Sequence, residues 1–556
     1  MLEISSIDTD SNLLDASVDT DSAYDLLAVQ NVQDTSESAA YIRGTLEAET
    51  FSLVPDRQTT VISGNGNIDY GTGVYDTLDL STISVSQVAE VNFAANPEGG
   101  TVFDVGDGER AFDSITLDDG RQVIFEGIEN IVFADDNIDL AFSPDDTSFD
   151  DQFNLHMMGV QTAWQFTQGT DDVLIGVQDT GLGVDPTGNL HPDLRAEFFD
   201  PENVVDEFII ADVPEDISHG TAVQGIIGAE TDNGVGIAGI NWNSDIDHID
   251  VIGSNAGDID FDRATQLMID QAVSQGQKLV INMSFGDAGI TPDFEALIAN
   301  NQDDVLFVMA TGNDSATEIT DPSSLAQQYD NVVAVGAAWG RLDKMTGESV
   351  APGTIAEFSN TGEGITLVGS AAALTTSADP QGTFDYAEFG GTSAATPNVA
   401  GVASLVWSAN SNLTATQVKQ IMSETAFDLG EEGYDLTYGS GFVNADAAVR
   451  RAIAIGQDAP ATATLNTVSS TISDTNSSSF NSGFSVLPET GITTASTFNE
   501  RLNDTVSQDS TNDNLLEPSD ADLPTSLFDY DAPELQNLAK LDSQLIQDDL
   551  FSSPLY

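Results

Sequence analysis

The sequence predicts an α/β protein with a parallel sheet covered by helices on both faces. A small β-rich domain precedes this sheet, and a disordered acidic tail follows it. Between residues 143 and 455, short apolar runs typical of buried strands alternate with segments of helical spacing. Such alternation indicates a sheet built from strand–helix–strand units. It is absent from 1–57, 58–142 and 456–556, which we treat as separate regions.

The first two regions differ in composition. Residues 1–57 are acidic and rich in Ser, Thr and Asp, which predicts a mostly disordered segment. In 58–142, glycine-rich turns separate short β-branched runs, which predicts strands. This region resembles the β-rich modules found beside RTX-type, hemolysin-like calcium repeats. The calcium-binding nonapeptide is not intact and there is no tandem array, so a β domain without bound calcium is the alternative.

The elements of the central region follow from its apolar pattern. Strands are predicted at 173–177, 279–283, 305–309 and 332–335. Helices are predicted at 261–274, 294–300 and 393–407, with Thr414 and Gln417 opening a later helix through a capping box. In the last region, 462–482 is a Ser/Thr/Asn-rich linker, and leucines at helical spacing from Leu535 to Leu545 predict a short amphipathic helix.

Composition limits the possible partners. The chain has 14 Lys and Arg against 92 Asp and Glu, for a net charge of −78. This excludes a general nucleic-acid surface and fits salty or calcium-rich surroundings that screen self-repulsion. Cysteine is absent, which excludes disulfides and thiolate sites. No apolar run approaches a membrane span, and nothing indicates the oligomeric state.

The first residues, from Met1 to Asp8, lack the basic and apolar regions of a cleaved secretory signal. The RTX-type resemblance and the acidic tail favour an extracellular protein exported without such a signal. A cytoplasmic location is the alternative.

Ser393 is a candidate nucleophile. It follows a Gly-Gly-Thr turn and precedes an apolar run of helical spacing, so it lies near a predicted helix N-terminus. Backbone N–H groups there can help to hold an oxyanion. The alternative is that Ser393 only caps the helix.

Three other polar residues stand where a site would form. Asp179 ends a predicted strand, Asn313 follows another, and His219 precedes a segment of small residues. Serine needs an adjacent base, which histidine supplies, and a carboxylate fixes the histidine tautomer. An Asn amide can donate to the oxyanion. Taken singly, Asp179 and Asn313 could be turn residues and His219 a structural histidine.

Five ordered motifs carry a family resemblance: Asp179-Thr180-Gly181, His219-Gly220-Thr221, Asn282-Met283-Ser284-Phe285-Gly286, Thr311-Gly312-Asn313 and Gly391-Thr392-Ser393. With them the chain resembles the subtilisin-like serine proteases, the subtilase or S8 family. The resemblance implies Asp179, His219 and Ser393 as the triad and Asn313 as oxyanion donor. It also implies that Ser284, Phe285 and Gly286 pair with the substrate backbone.

The expected function is therefore a serine endopeptidase that acts on proteins or peptides through an acyl-enzyme. The alternatives are a catalytically silent subtilase-fold surface or calcium-binding protein, and a peptide ligase or cyclase. Two departures from the family pattern stand out: Ala394 replaces the usual Met after the nucleophile, and the usual inhibitory prodomain is not identifiable in residues 1–145.

By the same resemblance, Asp314 lies at the rim of the pocket for the residue before the cleaved bond. A carboxylate there would favour Lys or Arg, and a broad apolar pocket with a solvated Asp314 is the alternative.

Two further loops resemble those of a structural calcium site in many subtilases. They imply the Asp193 carboxylate and the Asn233 side-chain carbonyl as ligands, together with the backbone carbonyls of Thr231, Val235 and Ile237. Calcium accepts such mixed oxygen ligands. Otherwise the loop is only a turn, and Asp193 is a solvated acid.

Overall fold

The structure is a computed structural model that describes residues 39–96, 99–195, 218–252 and 260–456. The predicted tail, with its amphipathic helix and export function, lies outside the described residues, as does the start of the N-terminal segment. Among the described helices, none has both the length and the apolarity needed to cross a bilayer.

The described part of residues 39–142 is a β region of ten strands. They are β1 (Ala39–Arg43), β2 (Thr50–Ser52), β3 (Thr59–Ser63), β4 (Thr77–Leu80), β5 (Val88–Asn92), β6 (Thr101–Asp104), β7 (Glu109–Leu117), β8 (Gln122–Glu126), β9 (Asn130–Phe133) and β10 (Asn137–Asp139). The chain alternates between two sheets: β1, β3 and β8 are parallel neighbours in one, and β2, β4 and β9 in the other. Strands β5 to β7 extend the first sheet with antiparallel pairs.

This β region begins earlier than predicted. β1 and β2 precede residue 58, so the prediction of disorder is wrong from residue 39 onward. Ala40 and Phe51 are buried because β1 pairs with β3 and β2 pairs with β4. Local composition does not reveal such pairing. The parallel stacking agrees with the predicted β-rich domain, while the RTX-type resemblance and its calcium remain predictions.

The central region contains the predicted α/β fold. Its elements are α1 (Phe153–Met157), α2 (Val160–Ala163), β11 (Val173–Asp179), α3 (His219–Gly228), β12 (Asp245–Asp250), α4 (Phe261–Gln275), β13 (Lys278–Met283), α5 (Pro292–Asn300), β14 (Val305–Ala310), β15 (Val332–Ala338), β16 (Leu367–Ser370), β17 (Ala372–Ala378), β18 (Phe384–Gly390), α6 (Thr392–Ala409), α7 (Ala415–Thr425) and α8 (Ala445–Gly456). Each predicted strand and helix has a counterpart here. The capping box at Thr414 and Gln417 is also present.

A parallel six-stranded sheet of order β12-β11-β13-β14-β15-β16 forms the centre. Alternate residues of β11 face opposite cores: Ile175 packs with α3 and α6, whereas Leu174 packs with α4 and α5. The strands are thus buried on both faces, which explains their continuous apolar sequences. The predicted arrangement of helices on both faces is confirmed.

β12 was not predicted. Its sequence from Asp245 to Asp250 has two isoleucines among three aspartates and a histidine and lacks a continuous apolar run. It is the edge strand and pairs with β11, so only part of its surface needs to be apolar. The antiparallel β17–β18 pair, which leads into α6, was also missed.

Candidate active site

The predicted site residues meet at one edge of the sheet. Asp179 is the last residue of β11, Ser284 follows β13, and Asn313 follows β14 shortly after its end. Because these strands are parallel, their carboxyl ends lie together. Ser393, the second residue of α6, shares a pocket with Asn313.

Asp179 and His219 form a short hydrogen bond. His219 Nδ1 lies 2.6 Å from Asp179 Oδ1, and Asp179 is fully buried. The backbone N–H of Thr180 also donates to Asp179 Oδ1 at 2.8 Å, which holds the carboxylate in place. With Nδ1 facing the carboxylate, Nε2 is the ring nitrogen suited to exchange a proton with a nucleophile.

Gly220 lets His219 approach the end of β11. A Cβ atom on Gly220 would lie 2.0 Å from the backbone oxygen of Thr180, which no larger residue could tolerate. The Gly220 N–H donates to Thr180 Oγ1 at 2.8 Å. The first turn of α3 is therefore held directly against the strand that carries Asp179.

Ser393 is held by the segment after β13. Its Oγ donates to the backbone oxygen of Ser284 at 2.9 Å, and Ser284 Oγ donates to the backbone oxygen of Ser393 at 3.1 Å. Ser393 does not cap the helix, since the cap residue is Gly391, whose φ of 105° favours glycine. The alternative role as a simple cap is wrong.

The amide of Asn313 has a fixed orientation. Its Oδ1 accepts hydrogen bonds from both the N–H and the Oγ1 of Thr392, each at 2.9 Å. The Nδ2 donor therefore lies on the opposite side of the amide group. This arrangement suits a donor to an oxyanion formed next to Ser393.

A pocket adjoins Ser393. It is lined by Phe285, Gly286, Asp287, Ala310, Gly312, Asn313, Asp314, Thr320, Thr392 and Ser393. Three of the four predicted substrate-binding residues, Phe285, Gly286 and Asp314, are among them. The fourth, Ser284, is fully buried and contacts Ser393 instead.

The pocket contains a second carboxylate that was not predicted. Partial burial raises the pKa of Asp287, and the charges of Asp314 and Asp321 raise it further. Like charges near one another have this effect because they disfavour ionisation. The pocket thus combines two acids with the candidate nucleophile.

Comparisons with known proteins point to one family. The subtilase family model matches residues 170–441. The chain is 30% identical over 284 residues to subtilisin DY of Bacillus licheniformis, a match covering 50% of this chain and 91% of that protein. The chain belongs to the subtilase family.

Other relatives extend beyond the matched region. Identity is 32% to alkaline elastase YaB of a Bacillus strain, over 50% of this chain and 65% of that protein. Identity is 31% to a halolysin-like extracellular serine protease of Natrialba magadii, over 59% of this chain and 57% of that protein. The chain thus spans less than two thirds of the length of these relatives.

The two loops predicted to bind calcium lie side by side. Asp193 is fully buried and accepts hydrogen bonds from Asn233 Nδ2 at 2.9 Å and from the Ile237 N–H at 3.0 Å. Asn233 Oδ1 accepts from the Val235 N–H at 2.8 Å, so this oxygen, the predicted ligand atom, faces the backbone. The solvated-acid alternative for Asp193 is wrong.

Asp146 is a further acid at these loops that the sequence analysis missed. It accepts from the Asp232 N–H at 2.8 Å, and burial together with the charges of Asp193 and Asp145 raises its pKa to about 6. Within the described ranges no group of three or more His, Cys, Asp or Glu side chains is arranged to hold a metal. Any cation here would therefore depend on carbonyl oxygens as well as carboxylates, which fits calcium.

The structure reveals another residue that shapes the site, Asn360. Its Oδ1 accepts from the N–H groups of Asp314 and Ala316, both at 2.9 Å, and its N–H donates to the Gly312 oxygen. It thereby holds the loop that carries Asn313. No local pattern in the sequence distinguishes Asn360, because its partners lie more than forty residues away.

Proposed function

We propose that this subtilase is a serine endopeptidase that uses Asp179, His219 and Ser393. The observation that carries the proposal is the 2.6 Å Asp179–His219 hydrogen bond at the sheet edge where Ser393 borders a pocket. Membership of the subtilase family supports it.

In the proposed reaction, Ser393 Oγ attacks the scissile carbonyl and its proton passes to His219 Nε2. Asn313 Nδ2 and a backbone N–H at the start of α6 stabilise the oxyanion. The C–N bond breaks, and His219 gives its proton to the leaving amine. Water then attacks the acyl-enzyme, with His219 again as base, releasing the acid and restoring Ser393. Asp179 stabilises the imidazolium throughout.

A direct experiment is hydrolysis of casein by the purified protein, with labelling by a fluorophosphonate. We expect hydrolysis and a single label on Ser393, both lost in Ser393→Ala. A Ser393→Ala protein that still hydrolyses casein would refute the assignment. Mass spectrometry of the products distinguishes hydrolysis from ligation or cyclisation.

For specificity, the proposal is that the pocket favours Lys or Arg before the cleaved bond. Asp314 and Asp287 both line it, and the charge of Asp314 adds to the burial that raises the pKa of Asp287. A substrate cation would relieve the repulsion between these carboxylates. The expected preference for basic residues therefore rests on two carboxylates.

A structural calcium ion at Asp193 is the proposed cofactor. Asp193 is fully buried, and its charge adds to the burial that raises the pKa of Asp146. A bound cation would offset the repulsion between these two carboxylates. Asp193 and Asp146 would supply carboxylates, and the carbonyls of Thr231, Val235 and Ile237 would supply further oxygens. Asn233 would join them through Oδ1, which has a second lone pair besides the one that accepts from the Val235 N–H. When bound, the ion would stabilise the loops without entering the reaction.

The proposed location is extracellular. The net charge of −78 suits salty surroundings, and one relative is named an extracellular, halolysin-like protease. The proposed export route uses the C-terminal segment. Deletion of the residues from about 500 onward should abolish appearance of the protein in the medium, and unchanged secretion would contradict this route.

A further inference from the structure

His248 is a buried histidine outside the proposed triad. It lies on β12, paired in register with Val177 of β11, and is 3% exposed. Its Nε2–H donates to the backbone oxygen of Thr180 at 2.7 Å. His248 therefore holds the residue that follows Asp179, whose own N–H and Oγ1 face the Asp179 carboxylate.

The other side of the ring contacts α3. His248 Nδ1 lies 3.0 Å from Gln224 Oε1, and Gln224 Nε2 donates to the backbone oxygen of Arg195 at 3.0 Å. Gln224 is five residues along α3 from His219, which begins that helix. The imidazole thus bridges the end of β11 and the helix that carries the proposed base.

The ring also packs against the first turn of α3. A Cβ atom on Gly220 would lie 3.0 Å from both Cε1 and Nε2 of His248. Burial lowers the pKa of His248, while the charge of Asp179 acts in the opposite direction. A neutral imidazole has one N–H, and with that proton on Nε2 the bond to the Thr180 oxygen is the hydrogen bond that the ring donates, while Nδ1 only contacts Gln224 Oε1.

We propose that His248 is a positioning residue that sets the Asp179–His219 geometry through its hydrogen bond to the Thr180 carbonyl. This inference rests on the proposed serine endopeptidase activity. If the Thr180 carbonyl loses its donor, the turn that holds the Asp179 carboxylate can shift relative to α3. Misplacement of a reacting group by 1 Å can lower turnover by about 100-fold without changing substrate binding.

Three substitutions separate the hydrogen bond to Thr180 from the contact with Gln224. In His248→Gln, the amide nitrogen takes the place of Nε2 and can still donate to Thr180. In His248→Asn, the amide takes the place of Nδ1 and reaches only Gln224. His248→Leu removes both the hydrogen bond to Thr180 and the contact with Gln224. His156→Gln is the control, because His156 is also fully buried and bonded to a backbone oxygen, that of Phe149, but its partners are outside the site.

Turnover is measured per active site, titrated with the fluorophosphonate, so unfolded protein is not counted. We expect His248→Gln and His156→Gln to keep kcat within about twofold of the wild type. His248→Asn and His248→Leu should lower kcat by about tenfold to 100-fold with little change in KM.

Wild-type kcat in the Asn and Leu variants, or equal losses in all three, would overturn the role of the Thr180 bond. A wild-type protein that neither hydrolyses casein nor reacts with the phosphonate would instead refute the proposed activity.

Discussion

Arg450 of α8 and Asp113 of β7 form a buried ion pair that joins the β region to the subtilase domain. Arg450 Nη2 lies 2.8 Å from Asp113 Oδ2, and Nε donates to Asp446 Oδ2, also at 2.8 Å. Asp446 in turn accepts from the Gly127 N–H at 3.0 Å. These contacts are far along the chain from Ser393, and the pocket beside Ser393 contains no residue of the β region.

Arg450→Met should destabilise the folded protein by about 3–5 kcal/mol, because Asp113 and Asp446 would remain buried without their cation. Arg121→Met is the control, since the side chains of Arg121 and of its ion-pair partner Asp119 are 42% and 54% exposed. Loss of this solvent-screened pair should cost far less. Urea unfolding measures the change in the free energy of unfolding in both variants. Equal effects in the two variants would mean that the buried pair does not hold the β region in place.

Asn313→Ala should lower kcat by about 10²–10³ with KM nearly unchanged, because one oxyanion donor is lost. Asn313→Asp is a matched variant: it keeps an acceptor for Thr392 but has no Nδ2 donor. It should be equally impaired. Steady-state kinetics on a peptide substrate test this, and normal turnover in Asn313→Asp would show that the amide donor is not used.

Asp287→Asn and Asp314→Asn should each reduce the preference for Lys over norleucine before the cleaved bond. Exposed charge pairs contribute about 0.2–1 kcal/mol, so each change should lower the ratio of kcat/KM values by up to about fivefold. High salt should have a similar effect by screening. Asp321→Asn is the control, because Asp321 is near Asp287 but does not line the pocket. If a variant carrying both Asp287→Asn and Asp314→Asn kept the same ratio, the result would favour the alternative of a broad apolar pocket.

Removal of calcium should lower the melting temperature. An ion that binds only the folded protein stabilises it by about 2.7 kcal/mol at a hundredfold excess over Kd. Asp193→Ala should abolish most of the effect of a chelator. Asp232→Asn serves as the control, because the Asp232 side chain accepts from the Asp145 N–H and is not a proposed ligand. A chelator effect of equal size in Asp193→Ala would place the ion elsewhere.

The buried carboxyl group of Asp76 should make the free energy of unfolding decrease as pH rises. Asp76 is fully buried, and within the described residues its Oδ2 has no hydrogen-bond partner. Burial raises the pKa of Asp76, as do the charges of Glu129 and Glu49; burial also raises the pKa of Glu129 to about 7.

A raised folded-state pKa means that the folded protein binds more protons than the unfolded chain. Stability is therefore full below the unfolded pKa of about 4 and is lost as pH rises through the folded pKa. Asp76→Asn keeps the acceptor for the Glu49 N–H and removes one charge. It should raise the melting temperature at pH 8 and flatten its pH dependence. A lower melting temperature at pH 8 would show that the Asp76 charge has a stabilising partner.

The continuous apolar runs made β11, β13, β14 and β15 predictable, because strands buried on both faces have no polar side to interrupt the pattern. β12, an edge strand, and β2 lack such continuous apolar runs, and neither they nor β1 were predicted. Their burial depends on partners distant in sequence, which local composition does not record.

The sequence by itself predicted the parallel fold from its apolar runs. It indicated Asp179, His219, Asn313 and Ser393 as candidates through ordered motifs that resemble those of the subtilases. The tertiary structure alone decided which side chains support them. His248 contacts the residue after Asp179, and Asn360 contacts the loop that carries Asn313. Around them, Asp287 lines the pocket and Asp146 lies beside Asp193. A local pattern can identify a residue capable of the chemistry, but hydrogen bonds between distant segments exist only after the chain has folded.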